Sequence, residues 1–226
     1  SRYGKAYKVD AELRLSGRSG SLVSQFEAYK NYHQSKASTW EQLVLLKARV
    51  ITGDKEFSIL TQNMLNQLAY KKPLLDIAQS KAELAKIQQK FADEKGYESE
   101  SEYNLKTGLD GISYLEMLTR FLQLKHLDNV KIHCKNTFEL LEAFTQNTII
   151  APQDIATISA AFCFYRMLSA RNRLQNNSST NKINFSHKNT GIIAKQLGMT
   201  SFELKDRLDK HRNDVMKIYR KYMIDA

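Results

Sequence analysis

The chain has 226 residues, 42% hydrophobic and 26% charged, with only 2 Pro and 9 Gly, a balance that fits a globular protein of long helices and excludes a turn-rich all-β design. No uncharged apolar run approaches the ~20 residues of a membrane span, no basic-then-apolar leader opens the chain, and Cys134 and Cys163 form no CxxC pair, which points to a reduced, cytoplasmic setting. The net charge of +10 is interspersed with acids, as in KAELAKIQQKFADEK, so it reads as solvated helix faces that attract nucleotide phosphates or an acidic protein, not as a nucleic-acid groove.

In chain order, the opening SRYGKAYKVD alternates almost at once, as expected of a start inside a folded unit. Residues 5–15 place Tyr7, Val9, Ala11, Leu13 and Leu15 on one side and Lys8, Asp10, Glu12 and Arg14 on the other, the period of a strand. SGRSGS is a turn, Leu22 and Val23 a short second strand, and QFEAYKNYHQ shifts to helical spacing. Ser38 or Thr39 caps a helix over 39–49 carrying Trp40, Leu43, Val44 and Lys47, and Gly53-Asp54 closes this first region.

Past residue 55 the spacing predicts helices alone. They run over 56–70, stopped by Pro73; over 75–95, ending near Gly96; and over 112–127, after a polar loop. Asn136 and Glu139 look like a capping box, Pro152 is a first-turn proline for a helix over 153–175, and NNSSTNK is a mobile loop. A short helix ends at Gly198, and Thr200 with Glu203 caps a last helix whose inner stripe is Leu204, Leu208, Val215, Ile218 and Tyr222. The fold class is therefore mainly α, a small β-containing remnant (1–55) followed by a helical bundle domain (56–226).

Two blocks carry the chemistry, YKVDAELRLSGRSGSLV (7–23) and STWEQLVLLKARVITGD (38–54). They resemble the glutamine synthetase adenylyltransferase family, whose run has Val-Asp, an Arg-Leu-Arg-Pro strand end, a Gly-x-x-Gly turn, then Thr-Trp-Glu, Ala-Arg and Gly-Asp. NLKTGLDGISYLEMLTRFLQL (104–124) is similar to that family's Lys-x-Gly-x-Gly-Gly segment and the helix after it, so the resemblance spans nearly the whole chain. It implies the C-terminal part of a nucleotidyltransferase domain plus its helical partner domain. The intact enzyme would use ATP and Mg²⁺ to place AMP on glutamine synthetase, with a nitrogen-regulatory signal protein as a further partner. The Thr-Trp-Glu form leans toward the half that attaches AMP. Asp10 matches the third, metal-side carboxylate, the catalytic and metal residue of the set, and the Asp-x-Asp pair would come from a missing upstream catalytic segment. Departures from the pattern are Glu12, Leu15, Asp110 and Tyr114.

Read without the family, nucleotidyl transfer needs several carboxylates converging on divalent metals, which Asp10 alone does not provide. The chain by itself is therefore expected to be inactive. Arg14 and Arg49 suit either bidentate phosphate contact or pairing with Glu12 and Glu41. Lys106, with Gly108 and Gly111, suits a phosphate contact but lacks Walker spacing. Trp40 reads as a core anchor with Glu41 as structural support, and Glu116 fits a charge–dipole role at a helix start. His126 and His133 would be about 10 Å apart on one helix, too far to share a metal. Two rival readings stand beside the leading one, a degenerate non-catalytic helical interaction module and part of a signal-protein uridylyltransferase.

Overall fold

Side-chain caps set where the helices begin. In the computed structural model, residues 14–15, 19–71, 76–95, 99, 101–108 and 110–224 are described. The strand expected over 5–15, and with it Asp10 and Glu12, lies outside the described residues except for Arg14 and Leu15, which sit in a bend and a turn. The chain divides into two units, Ser1–Leu74 and Leu75–Ala226.

In the first unit α1 (Phe26–Ser35), α2 (Thr39–Leu45) and α3 (Lys55–Ala69) pack together. Ser38 and Glu41 form a reciprocal capping box at the start of α2, and the Asp54 carboxylate accepts from the Phe57 amide at the start of α3. Leu43, Leu45, Leu46, Met64 and Leu68 supply the buried side chains. Gln42 donates to the Lys71 carbonyl at 2.6 Å, and Lys71 donates to the Gln34 carbonyl at 2.6 Å, tying the three helices through backbone acceptors. Leu22 and Val23 lie in a bend with 76% and 84% of their surface exposed, not in a second strand.

The second unit contains α4 (Ile77–Lys95), α5 (Ile112–Lys125), α6 (Thr137–Gln146), α7 (Pro152–Asn176), α8 (Lys188–Gln196) and α9 (Ser201–Tyr219). Asn136 caps α6 by accepting from the Phe138 and Glu139 amides, Pro152 opens α7, and Thr200 with Glu203 forms the second reciprocal box. α5 is the central helix: Leu115, Leu118, Phe121, Leu122 and Leu124 are nearly or wholly enclosed. Around them pack Leu140, Phe144, Ile158, Phe162, Tyr165, Leu168, Leu204 and Leu208.

The expectation of strands only before residue 55 is overturned. Among the described residues the strands are β1 (Glu102–Asn104) and β2 (Lys182–Asn184), an antiparallel pair with Tyr103 opposite Ile183. The pair joins the two loops that flank the long helices, burying Tyr103 and Ile183 and closing with a Lys182–Glu102 ion pair at 2.8 Å. The last inner position also moves. A π-helical turn, Arg220–Ile224, adds a residue to the period, so Tyr219 and Met223 face inward while Tyr222 is half-exposed and bonds Asp154 at 2.9 Å.

Candidate functional site

In the first unit Glu41 is committed to structure. One carboxylate oxygen accepts from the Ser38 amide and hydroxyl, at 2.8 and 2.9 Å, and the other from the Tyr32 hydroxyl at 2.8 Å. The bond to Glu41, followed by burial, pushes the Tyr32 hydroxyl pKa up. Arg49 lies exposed, and Glu41 is held by Tyr32 and Ser38. Arg14 donates from Nε to the Gly20 carbonyl at 2.9 Å. Trp40 is half-buried.

In the second unit the segment from Asn104 to Gly111 is built on its own backbone. The Asn104 side chain accepts from the Lys106 and Thr107 amides, both at 3.1 Å, and donates to the Thr107 hydroxyl at 2.8 Å. The Ile112 and Ser113 amides then bond back to the Leu105 and Lys106 carbonyls. A side chain at Gly111 would meet those two carbonyls at 3.0 Å, so the position needs glycine. Asp110 has φ 63°, a left-handed backbone that explains why the resembling segment carries glycine there and why aspartate is a tolerated replacement. Lys106 points to solvent from this loop.

Behind the loop, α9 places two cations on one aromatic ring. Lys205 Nζ and the Arg212 guanidinium lie 5.4 and 4.8 Å from the centre of the Tyr103 ring, which Phe185 meets edge-on at 5.6 Å. Bonds to Tyr103 and Asp209 raise the Lys205 pKa. Tyr103, Asn104, Gly111, Tyr165, Leu208 and Arg212 line a cleft of about 170 Å³ including its open mouth. That is below the ~300 Å³ at which small-molecule pockets begin, so it does not take a nucleotide.

One sequence departure is absorbed by packing. Tyr114, where the resembling segment has an acid, is buried and meets Tyr219 edge-on at 5.5 Å. Glu116 falls in the second turn of α5, beyond the first turn where a helix dipole acts strongly. Sequence reasoning passed over Arg120. Only 2% exposed, it donates to the Cys134 carbonyl at 2.9 Å, the Lys135 carbonyl at 2.6 Å and Gln123 at 2.7 Å. An arginine inside the apolar run of α5 was the available signal. Among the described residues no group of three His, Cys, Asp or Glu is placed to hold a metal.

The unit of helices that carries the Lys-Thr-Gly loop follows a smaller unit whose sequence bears the Val-Asp and Thr-Trp-Glu blocks. Residues 1–64 match the family model described as glutamate-ammonia ligase adenylyltransferase, and residues 80–223 match the model described as GlnD PII-uridylyltransferase. Relatives named bifunctional glutamine synthetase adenylyltransferase/adenylyl-removing enzyme include one from Mycobacterium marinum, 34% identical over 75% of this chain and 17% of its own length. Another, from Rhodopseudomonas palustris, is 30% identical over 77% of this chain and 17% of its own length. A third, from Methylococcus capsulatus, is 26% identical over 96% of this chain and 23% of its own length. The chain belongs to the glutamine synthetase adenylyltransferase family, and it spans 17% to 23% of the length of these relatives.

Proposed function

We propose that this chain is the rear portion of an enzyme that adenylylates glutamine synthetase, contributing Asp10 to the catalytic site and a helical domain that supports it. The observation that carries this reading is the adenylyltransferase match over residues 1–64, which contains the Asp10–Arg14 block and the Trp40-Glu41 helix. In this reading residues 1–55 are the C-terminal part of the nucleotidyltransferase domain and residues 56–226 the helical bundle domain. ATP and Mg²⁺ belong to the intact enzyme, where Asp10 would be one metal ligand and Arg14, Arg49 and Lys106 the phosphate-side cations. The described residues do not make a metal site by themselves. Partners are the upstream catalytic segment, glutamine synthetase and a nitrogen-regulatory signal protein, in the cytoplasm. No helix among the described residues is long and apolar enough to cross a membrane.

A second reading, a helical interaction module without catalysis, is favoured by one observation. Tyr114 uses for core packing a position that holds an acid in the resembling segment. The uridylyltransferase reading draws only on the helical match over 80–223.

The test is isothermal titration of the chain with Mg-ATP at low and high salt, beside a radiolabel assay on glutamine synthetase. The reading expects only weak, salt-sensitive heat from the net charge of +10, and no transfer of label. Micromolar binding that survives salt and is lost in Asp10→Asn, or any labelled product from the chain alone, would contradict it.

A further inference from the structure

The first unit leaves apolar side chains uncovered at one end. Phe26 at the start of α1 meets Phe57 near the start of α3 with ring centres 5.9 Å apart, and Lys71, just past the end of α3, donates to the Gln34 carbonyl near the end of α1. The two helices therefore run parallel, with both N-termini at the same end. The inner stripe of α3 passes through Phe57, Leu60, Met64 and Leu68 at steps of three and four. Met64 and Leu68 are buried, whereas Phe57 and Leu60 are 54% and 53% exposed. Leu22 and Val23 lie in the bend that leads into α1 and are exposed as well. Single exposed aliphatics are ordinary; four large apolar side chains gathered at one end of a helix pair mark a contact surface.

The chemistry of this end is neutral. Neither Ser19–Phe26 nor Phe57–Ala69 contains a charged residue, in a chain that is 26% charged. A helix face made for water carries charges, as α4 does in KAELAKIQQK. An uncharged apolar end is what one half of a divided core presents to the other. The catalytic block also enters the unit here. The Arg14 side chain bonds the Gly20 carbonyl at 2.9 Å, two residues ahead of Leu22. Asp10 stands four residues before Arg14, at most ~14 Å of extended chain away. Carboxylates that share a metal with Asp10 must come from a body that stands within that reach of Arg14, and so beside the apolar end.

We propose that this end, formed by Leu22, Val23, Phe57 and Leu60, is the seat of the upstream catalytic segment, an assignment that rests on the chain being the rear portion of an adenylyltransferase. The segment packs an uncharged apolar face on these side chains, and that contact brings its carboxylates within reach of Asp10. Burial of apolar surface holds the two pieces together, and the metal-side carboxylates contribute little to the association.

The probe is an upstream family segment bearing an Asp-x-Asp pair, labelled with fluorescein and titrated with the full chain by anisotropy at low and high salt, while AMP transfer to glutamine synthetase is followed in the same mixtures. Saturable association that persists at high salt is expected, because apolar burial is not screened as the attraction of a +10 chain is. Leu22→Ser/Val23→Ser and Leu60→Ser should each weaken it by roughly tenfold or more, with the urea midpoint read by Trp40 fluorescence unchanged. Asp10→Asn should abolish transfer and leave association as it was. Association that vanishes at high salt, or that both apolar variants leave intact, would overturn the seat, and the catalytic reading would stand if Asp10→Asn still abolished transfer. Equal transfer by Asp10→Asn, with association still weakened by the apolar variants, would support the seat and sink the catalytic role of Asp10 alone. Absence of saturable association, or a dimer of the chain that the segment does not dissociate, would also overturn the seat.

Discussion

Removing the buried guanidinium of Arg120 should cost the helical unit about 3 kcal/mol. In Arg120→Ala the Lys135 carbonyl loses its 2.6 Å donor and the Cys134 carbonyl keeps only Gln123, at 2.9 Å. A buried acceptor left short costs ~1–3 kcal/mol, and the emptied side-chain volume adds a cavity term of similar size. Against this, the unfolded chain no longer has a cation to desolvate on folding, which returns part of the loss. The net of about 3 kcal/mol corresponds to a drop of roughly 6–12 °C for a unit of this size. Far-UV ellipticity on heating reads mainly the helical unit, while fluorescence of Trp40, the single tryptophan, reads the first unit and serves as an internal control. Arg120→Met, which refills the volume without donors, should recover about 1 kcal/mol of the loss. If Arg120→Ala melts within about 2 °C of the parent, its hydrogen bonds contribute nothing net and the reasoning fails.

Asp110→Gly should stabilise the helical unit by up to about 1 kcal/mol, since φ 63° costs glycine nothing, and a urea midpoint shifted down instead would show that the Asp110 side chain earns its place. Tyr114→Asp, which restores the family's acid, should destabilise by about 3 kcal/mol or more by losing the Tyr219 contact and burying a carboxylate, read by the same melt. His211 packs 4.8 Å from Phe164, and burial, with Arg207 and Lys210 adding to it against Asp214, pulls its pKa below 6.5. Its contribution is then full above the unfolded value of 6.5 and is lost as pH falls through the folded one; urea midpoints from about pH 7.5 to about pH 5.5 should fall less in His211→Gln than in the parent.

The long helices were legible because their signals are local. Ser38, Asn136, Pro152 and Thr200 mark starts through bonds to amides two or three residues on, or through a fixed φ, and the structure uses all four as helix starts. β1 and β2 were not legible. Each is three residues long, too short for a period of two to show, and their pairing joins Glu102 to Asn184 across 82 positions. Tyr222 was placed on the inner stripe by a 3.6-residue period that the π-helical turn breaks at Arg220. At the candidate site, the Lys106 loop was recognised by its glycines, but the cations that stand behind it, Lys205 and Arg212, come from a helix about a hundred residues later. Arg120 was missed because spacing counts apolar residues and passes over a charge whose partners are backbone carbonyls.

The central claim, that Asp10 completes a catalytic site shared with an upstream segment, is tested most directly by complementation in trans. An upstream family segment bearing an Asp-x-Asp pair is mixed with this chain, Mg²⁺, labelled ATP and glutamine synthetase, and AMP transfer is followed. The account predicts label on glutamine synthetase with the parent chain and its loss with Asp10→Asn, while the helical melting transition stays the same. Equal transfer by the parent and Asp10→Asn would contradict it.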